Sequence, residues 1–249
     1  MRKVWLSGIL ALIVLAGCAG RTSNSLLPYN AAWTVPQIQA LIQAGADVNA
    51  KDVNGKTPLM FAVESNVSSE VVRLLIAAGA DVNAQDEHGL SPLSFAAANN
   101  LSPDVIQALV EAGADINAKN ADGWTPLMLA ARFNPSSEVT ATLINAGAQA
   151  DPAVLMLAVI NNVPAVVAAL VATGVDVNKK DLEGWSQLMA AVIHGKHPEV
   201  IHILLEAGAD GKTLSPEGKT AFEYAANNEH IRGTSAYQAL AAAAGVSLE

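Results

Sequence analysis

The chain contains little of several residue types that other proteins use for stability or for binding. It has one cysteine in 249 residues, aromatic residues make up only 4% of it, and 14 basic residues stand against 23 acidic ones. A single cysteine excludes an internal disulfide, so packing alone must stabilise the fold. The apolar residues are mainly Ala, Val and Leu, which favours closely packed helices over a large mixed core.

The basic residues do not cluster anywhere in the chain. Proteins that bind DNA or RNA contact the phosphates through groups of Lys and Arg. If Arg2 and Lys3 are removed with a leader, 12 basic residues remain against 23 acidic ones, a net charge of −11. The sequence therefore argues against a nucleic acid partner and favours a partner protein with a basic surface, because opposite charge accelerates encounter.

The N-terminal apolar run is too short to span a membrane. Val4 to Ala16 gives 13 apolar or small residues after the basic residues Arg2 and Lys3, whereas a transmembrane helix needs about 20. This charge and length pattern is typical of a secretory signal. The run ends in Leu15-Ala16-Gly17-Cys18, which resembles the lipobox of bacterial lipoproteins.

This resemblance implies cleavage before Cys18 and attachment of diacylglycerol to its thiol. Residues 1–17 are then the removed signal peptide, and 18–27 are the lipidated cysteine and a flexible tether of roughly 30 Å at most. Ala19 favours the outer membrane, facing the periplasm, over the inner one. The alternatives are a permanent transmembrane anchor and a Cys18 that is an ordinary small residue of the signal.

An internal repeat occupies the rest of the chain. Gly-Ala-Asp occurs at 45, 79, 113 and 208, with variants of the triplet at 147 and 174. The spacing is 34 residues at every step except one of 27. Thr57-Pro58-Leu59 and its equivalents at 91, 125 and 186 follow the same period. A repeat of this length indicates a solenoid of supersecondary units.

Each unit reads as two helices and a turn. Thr-Pro or Ser-Pro supplies a capping oxygen and a first helical residue that needs no N–H partner. A second helix is predicted at Pro103 and at Pro198, where an acidic residue follows the proline and favours the positive helix end. Gly79 and its equivalents end that helix, since glycine adopts the left-handed conformation of a C-cap.

The complete unit resembles the ankyrin repeat, with TPL, E-V-V-x-L-L, AGADVNA and D-x-x-G in register. The resemblance implies an all-α solenoid of about seven helix pairs over 28–249, with short projecting β-turn fingers and a partial first pair at Tyr29–Ala44. The short spacing predicts a fifth repeat near 148–174 without a finger, and 215–249 resembles a C-terminal capping repeat. Where the family often has His, these repeats have Met60, Ser94, Met128 and Met189.

The resemblance also implies that a partner protein binds the finger tips and the exposed side of the first helices. We hypothesise that Trp124 and Trp185 flank a notch left by the missing finger and that a loop or helix of the partner occupies it. The alternative is that both rings lie flat over neighbouring repeats. The candidate binding residues are Leu90, Trp124, Trp185, Arg132, Phe133, Ile160, Ile193 and His194.

One local group of metal-ligand types has to be weighed against this interpretation. His194, His197 and His202, with Glu199, match no metalloprotease spacing, and a solvated histidine surface explains them better. Motifs of nucleophile elbows and phosphate loops are absent, and Cys18 is assigned to lipid. No catalytic residue, cofactor or metal is therefore predicted, and the chain is not expected to be an enzyme.

The predicted function is a membrane-tethered adaptor of the bacterial envelope that binds a partner protein through its finger tips and concave face. The alternative is an inhibitor or immunity protein against a secreted or delivered enzyme. A structural envelope spacer and a metal-dependent enzyme are further alternatives. Because fold does not imply function, the partner and the oligomeric state are not predicted.

Overall fold

The computed structural model describes residues 34–248 except 66, 67, 100, 101 and 162. The predicted signal peptide, Cys18 and the tether lie outside the described residues. In the described part of the chain, no helix is long and apolar enough to cross a membrane. The helices are α1 (Val35–Gln43), α2 (Pro58–Glu64), α3 (Ser69–Ala77), α4 (Pro92–Asn99), α5 (Pro103–Glu111), α6 (Pro126–Phe133), α7 (Ser137–Asn145), α8 (Pro152–Asn161), α9 (Pro164–Val171), α10 (Gln187–His194), α11 (Pro198–Glu206), α12 (Ala221–Ala225) and α13 (Ser235–Ala244).

The helices stack in two rows. Helices α2, α4, α6, α8, α10 and α12 pack side by side in one row, and α1, α3, α5, α7, α9, α11 and α13 form the other. We call these the first helices and the second helices, after their order within a repeat. The predicted all-α solenoid of about seven repeats is confirmed. Helix α1 stands in the second row, and any first helix paired with it would precede residue 34, outside the described residues.

The first helices begin at the predicted caps. The Thr57 hydroxyl accepts a hydrogen bond from the Met60 N–H at 3.4 Å, and that of Thr125 accepts from the Met128 N–H at 3.2 Å. Pro126 occupies the first turn of α6, where a missing N–H costs nothing. The second helices α5 and α11 also begin at the prolines that the sequence indicated.

The second helices end at glycines with positive φ. Gly79 has φ of +90°, which allows its N–H to bond the Ile76 carbonyl at 2.9 Å and the Ala80 N–H to bond the Leu75 carbonyl at 3.0 Å. These bonds satisfy carbonyls that the end of a helix leaves without partners. The glycines at the equivalent positions are Gly45, Gly113, Gly147, Gly174 and Gly208, all with positive φ.

A continuous apolar core runs between the two rows. Leu59, Leu93 and Leu127 of the first helices are buried, as are Met60 and Met189 at positions where the family often has histidine. Apolar packing thus occupies the site of a polar contact in these two repeats. Aliphatic side chains make up most of the core, as the composition indicated, and the ring of Phe95 is buried among them.

Asparagine side chains bridge neighbouring repeats at the ends of the second helices. Asn49 donates from Nδ2 to the Gly79 carbonyl at 2.9 Å and accepts from the Asp81 N–H at 2.8 Å. Asn83 and Asn178 each make the same pair of bonds, with the same lengths, to the repeat that follows their own. Each bridge gives a hydrogen-bond partner to the carbonyl of the glycine that ends a second helix, and it fixes the backbone that leads from that glycine to the following finger or repeat.

The connection between α7 and α8 follows a different course. Asp151 takes the position that asparagine holds in the other bridges, counted from the preceding glycine, Gly147. Its Oδ1 atom accepts from the Val154 N–H at 2.9 Å, so it caps α8 of its own repeat. The chain enters α8 directly at Pro152, and no projecting turn intervenes here.

Candidate partner-binding face

Each finger is a tight turn organised by one side chain. Asp86 accepts the N–H groups of His88 and Leu90 at 2.9 and 2.8 Å, and its own N–H bonds the Leu90 carbonyl at 3.1 Å. Gly89 lies in the turn with φ of +75°, and a Cβ there would come 2.8 Å from the Ala121 nitrogen of the next finger. Glycine is therefore required both for the backbone conformation and for the close approach.

The finger tips and first helices together form one surface, which we call the finger face. The predicted site residue Leu90 is half-buried on it and packs against the core. Trp185 is also half-buried, packs against the core, and has its ring centroid 5.6 Å from that of Tyr224. Trp185 is thus partly covered by a neighbouring repeat, but its ring is tilted by 55° against that of Tyr224 and does not lie flat on it, as the alternative expects. Its partner Tyr224 belongs to the last repeat.

Trp124 makes a different contact. Its ring stacks on Phe133 with centroids 6.1 Å apart and an interplanar angle of 22°. Phe133 is 56% exposed, and the Arg132 guanidinium carbon lies 5.4 Å from its ring centroid. The structure therefore brings three of the predicted site residues together as an aromatic pair with an adjacent cation, at the end of α6.

The remaining predicted site residues lie further along the first helices. Ile193 is 43% exposed at the end of α10, and His194 beside it is exposed. Ile160 of α8 is half-buried and packs against the core, so it contributes little open apolar surface.

The same positions carry charged residues two repeats earlier. Lys56 stands where Trp124 stands later, and its Nζ atom is 2.9 Å from Glu64 Oε2 and 4.5 Å from the Phe95 ring centroid. Glu64 is the counterpart of Arg132. The finger face thus changes along the solenoid from an ion pair over an aromatic ring to a partly exposed aromatic pair.

The missing finger leaves a groove of about 510 Å³, which we call the notch. Trp124 lines it on one side and Leu182 on the other, whereas Trp185 is not among the residues that line it. The second wall is therefore formed by the tip of the following finger and not by the second tryptophan. The full lining comprises Trp124, Met128, Asp151, Pro152, Ala153, Met156, Leu157, Lys179, Lys180, Asp181, Leu182 and Gln187.

Gln187 has an incompletely satisfied side chain at this groove. It is 1% exposed, and its Nε2 donates to the Pro152 carbonyl at 2.9 Å. Its Oε1 atom is buried without a hydrogen-bond partner in the described structure. The sequence interpretation missed this residue, although glutamine in Ser186-Gln187-Leu188 replaces the proline of Thr57-Pro58-Leu59 and of its equivalents at 91 and 125.

The histidines outside the finger face have separate surroundings. His197 Nδ1 lies 3.9 Å from Glu199 Oε2, and His202 Nε2 lies 3.1 Å from the Ser235 hydroxyl. Among residues 34–248, apart from the five positions not described, no group of three or more His, Cys, Asp or Glu could hold a metal ion.

Comparison with known proteins places the fold in a family. A family model described as "Ankyrin repeats (3 copies)" matches residues 30–120, 68–154, 93–181 and 155–244. Over 70 residues the chain is 40% identical to the Ankyrin repeat and SAM domain-containing protein 6 of Rattus norvegicus, a match that spans 28% of this chain and 8% of that protein.

Solved structures are similar over most of the chain. The human ASB11 ankyrin repeat domain is 25% identical with a TM-score of 0.72, and the match covers 84% of this chain and 93% of that one. The ankyrin repeat domain of Bcl-3, a member of the IkappaB protein family, is 28% identical with a TM-score of 0.65 over 82% and 90% of the two chains. The chain belongs to the family of ankyrin-repeat proteins.

Proposed function

We propose that this protein is a lipid-anchored adaptor of the bacterial envelope that binds a partner protein on its finger face. Ankyrin repeats generally mediate binding between proteins and are typically not enzymes. The observation that carries the proposal for this chain is the exposed Phe133 stacked on Trp124 beside Arg132. Aromatic residues and arginine are the types most often found where binding energy concentrates.

Charge adds a second argument about the partner. The chain has a formal net charge of −9, or −11 after loss of the expected leader, which attracts a basic surface during encounter. A basic partner should associate faster at low salt, and added salt should slow its association more than it changes dissociation.

Capture of a partner tests the binding proposal. The full chain serves as bait in a detergent extract of bacterial envelopes, beside Phe133→Ala and, as matched control, Val246→Ala, which removes an exposed apolar side chain beyond α13. We expect one protein to be held by the natural chain and by Val246→Ala and to bind Phe133→Ala about tenfold or more weakly. Equal retention by all three, or no discrete partner, would contradict the proposal and favour the structural spacer.

The anchor rests on the resemblance of Leu15-Ala16-Gly17-Cys18 to a lipobox. Two or three acyl chains would hold the protein at a membrane stably, whereas one binds only marginally. In cells given an alkyne-tagged fatty acid, the natural chain should be labelled and should sediment with outer membranes. Cys18→Ser should lose the label, while Ser25→Ala in the tether should keep it. A labelled Cys18→Ser protein would exclude this anchor.

The acidic charge also favours a narrower function, that of an inhibitor or immunity protein against a secreted or delivered enzyme. Inhibitors of this kind cover a target through complementary charge. Cells expressing the full chain should then survive an envelope-targeted effector that kills cells expressing Phe133→Ala. No protection against any member of an effector panel would remove this function and leave the adaptor.

A further inference from the structure

The notch lies between the fourth and sixth repeats, where, within the described residues, the regular architecture of the finger face is interrupted and a buried polar atom has no partner. Its apolar surface comes from Met128, Met156 and Leu157, with Trp124 and Leu182 at its sides. Its volume of about 510 Å³ falls in the range of roughly 300–1,000 Å³ that ligand-holding clefts occupy. The notch can therefore receive a large apolar side chain together with its backbone.

Gln187 indicates what the occupant must offer. The side chain is 1% exposed and lines the notch. Its Nε2 atom donates to the Pro152 carbonyl, whereas no group in the described structure donates to its Oε1 atom. A buried acceptor without a donor is costly, and native proteins rarely keep one that nothing satisfies. An occupant that presents an N–H to Oε1 would remove this cost.

The neighbouring fingers show where such an N–H can come from. Adjacent fingers are joined by backbone bonds, from the Glu87 N–H to the Asn54 carbonyl at 3.0 Å and from the Ala121 N–H to the His88 carbonyl at 2.9 Å. By register, the groups facing the notch are the Asp122 carbonyl and the Leu182 N–H. Within the described residues neither has a hydrogen-bond partner on the protein. A polypeptide turn in the notch would meet both groups as the missing finger would.

The charged side chains around the notch differ in whether other groups of the protein already bind them. Asp181 Oδ1 is held by the N–H groups of Glu183 and Trp185, and Asp151 Oδ1 caps α8. Lys180 Nζ donates to a backbone carbonyl of the next finger at 2.8 Å. Lys179 is exposed and, in the described part of the chain, makes neither a hydrogen bond nor an ion pair. An acidic side chain on the occupant would complement it.

We infer that the notch binds a turn or extended segment of a partner protein that takes the place of the missing finger. The segment carries a large apolar side chain for the floor of the notch, an acidic residue next to it for Lys179, and a backbone N–H for Gln187. This inference rests on the proposed protein-binding function and adds the kind of segment that the partner must contain.

A displayed library of random peptides provides a probe that does not require the natural partner. Peptides are selected on the full chain, and their affinities are then measured for three variants. The first, which we call the finger-restored variant, has a copy of residues 117–124 inserted between Ala150 and Asp151 to fill the notch. The second is Gln187→Met, which keeps the volume and removes the amide. The third is Gln238→Met, an exposed glutamine of α13, as matched control.

We expect the selected peptides to share an apolar residue next to an acidic one. They should bind the natural chain and Gln238→Met equally, bind Gln187→Met about tenfold more weakly, and lose binding to the finger-restored variant. The thermal midpoint of Gln187→Met should not fall, because the change removes an unsatisfied acceptor while the Pro152 carbonyl keeps its place in α8. If the finger-restored variant does not fold, Gln187→Met and Lys179→Glu carry the test.

Several results would overturn the inference. Peptides that bind the finger-restored variant or Gln187→Met with undiminished affinity sit elsewhere, and a failure to select any peptide leaves no such site. A natural chain that dimerises while the finger-restored variant stays monomeric assigns the notch to a second copy. A synthetic peptide of residues 19–33 that competes for the notch assigns it to the chain's own N-terminal segment. A partner that loses affinity for Phe133→Ala but binds the finger-restored variant as tightly as the natural chain would contradict binding in the notch and leave the proposed function intact.

Discussion

The connections that lead into α2, α4 and α6 link neighbouring repeats in one way, and the connection between α7 and α8 links them in another. In the former, each repeat is tied to the next by an asparagine bridge, and the fingers bond to each other through their backbones. In the latter, the asparagine position holds Asp151, which bonds within its own repeat. The comparison shows that one missing finger removes several links between repeats and opens a groove at the same time.

The bridge that precedes this junction is already longer than the others. Asn117 Nδ2 lies 3.5 Å from the Gly147 carbonyl and the Gln149 N–H lies 3.1 Å from Asn117 Oδ1, against 2.9 and 2.8 Å for Asn83. In a solenoid, each repeat contacts only its neighbours, so stability depends on each interface in turn. Packing between α6 and α8 must therefore hold the two halves together with less help from hydrogen bonds.

The largest expected effect on stability comes from removing a buried core side chain, either in a repeat with intact asparagine bridges or in the repeat without a finger. Leu93→Ala and Leu155→Ala each delete a fully buried side chain and should each lower the free energy of unfolding by about 2–5 kcal/mol. Leu155→Ala should also separate unfolding into two steps, because it weakens the interface with fewest bridges. Hydrogen exchange read by mass spectrometry over 34–145 and 163–248 resolves the steps.

In that experiment Leu93→Ala is the matched control, since it alters a repeat with intact bridges. Its two segments should show one common opening free energy. If the segments of Leu155→Ala also open together, the junction is as strong as its neighbours and the comparison fails.

A smaller effect is expected from breaking a bridge. Asn83→Ala removes two hydrogen bonds and should cost about 1–2 kcal/mol. Asn117→Ala should cost less, since its donor bond is stretched to 3.5 Å. Asn54→Ala, in a finger where only the backbone of the asparagine bonds, is the control and should cost almost nothing. Urea unfolding measures all three, and an equal cost for Asn83 and Asn117 would show that the bridge lengths carry no energetic meaning.

The capping role of Asp151 should have a cost near that of a single cap. Asp151→Ala removes the acceptor for the Val154 N–H and should destabilise the chain by about 1 kcal/mol. Asp151→Asn should keep nearly all the stability, because asparagine caps equally well and the missing finger gives it no bridge to make. Thermal unfolding compares the two. Stabilisation by Asp151→Asn would mean that a bridge forms there after all.

Much of the fold could be predicted because its determinants are local. The Thr-Pro caps and the glycines at helix ends act within a few residues of themselves, and a 34-residue period places them in every repeat. The resemblance to ankyrin repeats then supplies the stacking. The unfilled connection at Asp151 was predictable as well, since the spacing alone shows that no finger fits.

The candidate site was harder to predict because exposure depends on residues in other repeats. Trp124 and Trp185 occupy equivalent positions, yet one stacks on Phe133 and the other packs beside Tyr224 of the last repeat. Gln187 is an incomplete hydrogen-bonding group because its Nε2 donates to Pro152, in the repeat before it, while nothing in the described structure donates to its Oε1. Contacts of this kind follow from packing between repeats, which no motif within one repeat encodes.

The smallest expected effect is a pH dependence confined to the last repeat. The third helical position holds Met60 in an internal repeat and Glu223 in the last one. Hydrogen bonds from the Thr220 backbone N–H and hydroxyl, at 2.7 and 3.0 Å, hold the pKa of Glu223 below its ordinary value. Because the pKa of Glu223 is lower in the folded state, its carboxylate stabilises the fold. This contribution is complete at pH values above the unfolded glutamate pKa of about 4.3, and it is lost as the pH falls through the folded pKa. The protection of α12 and α13 against exchange, relative to the intrinsic exchange rate at each pH, should therefore fall below about pH 4.

Glu223→Gln tests this contribution, since it keeps a side chain that can accept the same bonds and removes the titration. The pKa of Glu111 is also lowered, by hydrogen bonds from Gln107 and Arg73, so some acid sensitivity should remain in both proteins. We expect the difference between them to appear in α12 and α13 and not in α2. The comparison covers roughly pH 3 to 6, the range in which carboxyl groups titrate. If the two proteins show the same exchange in every helix across this range, the charge of Glu223 contributes nothing to stability. The last repeat would then respond to acid no differently from the methionine-bearing repeats.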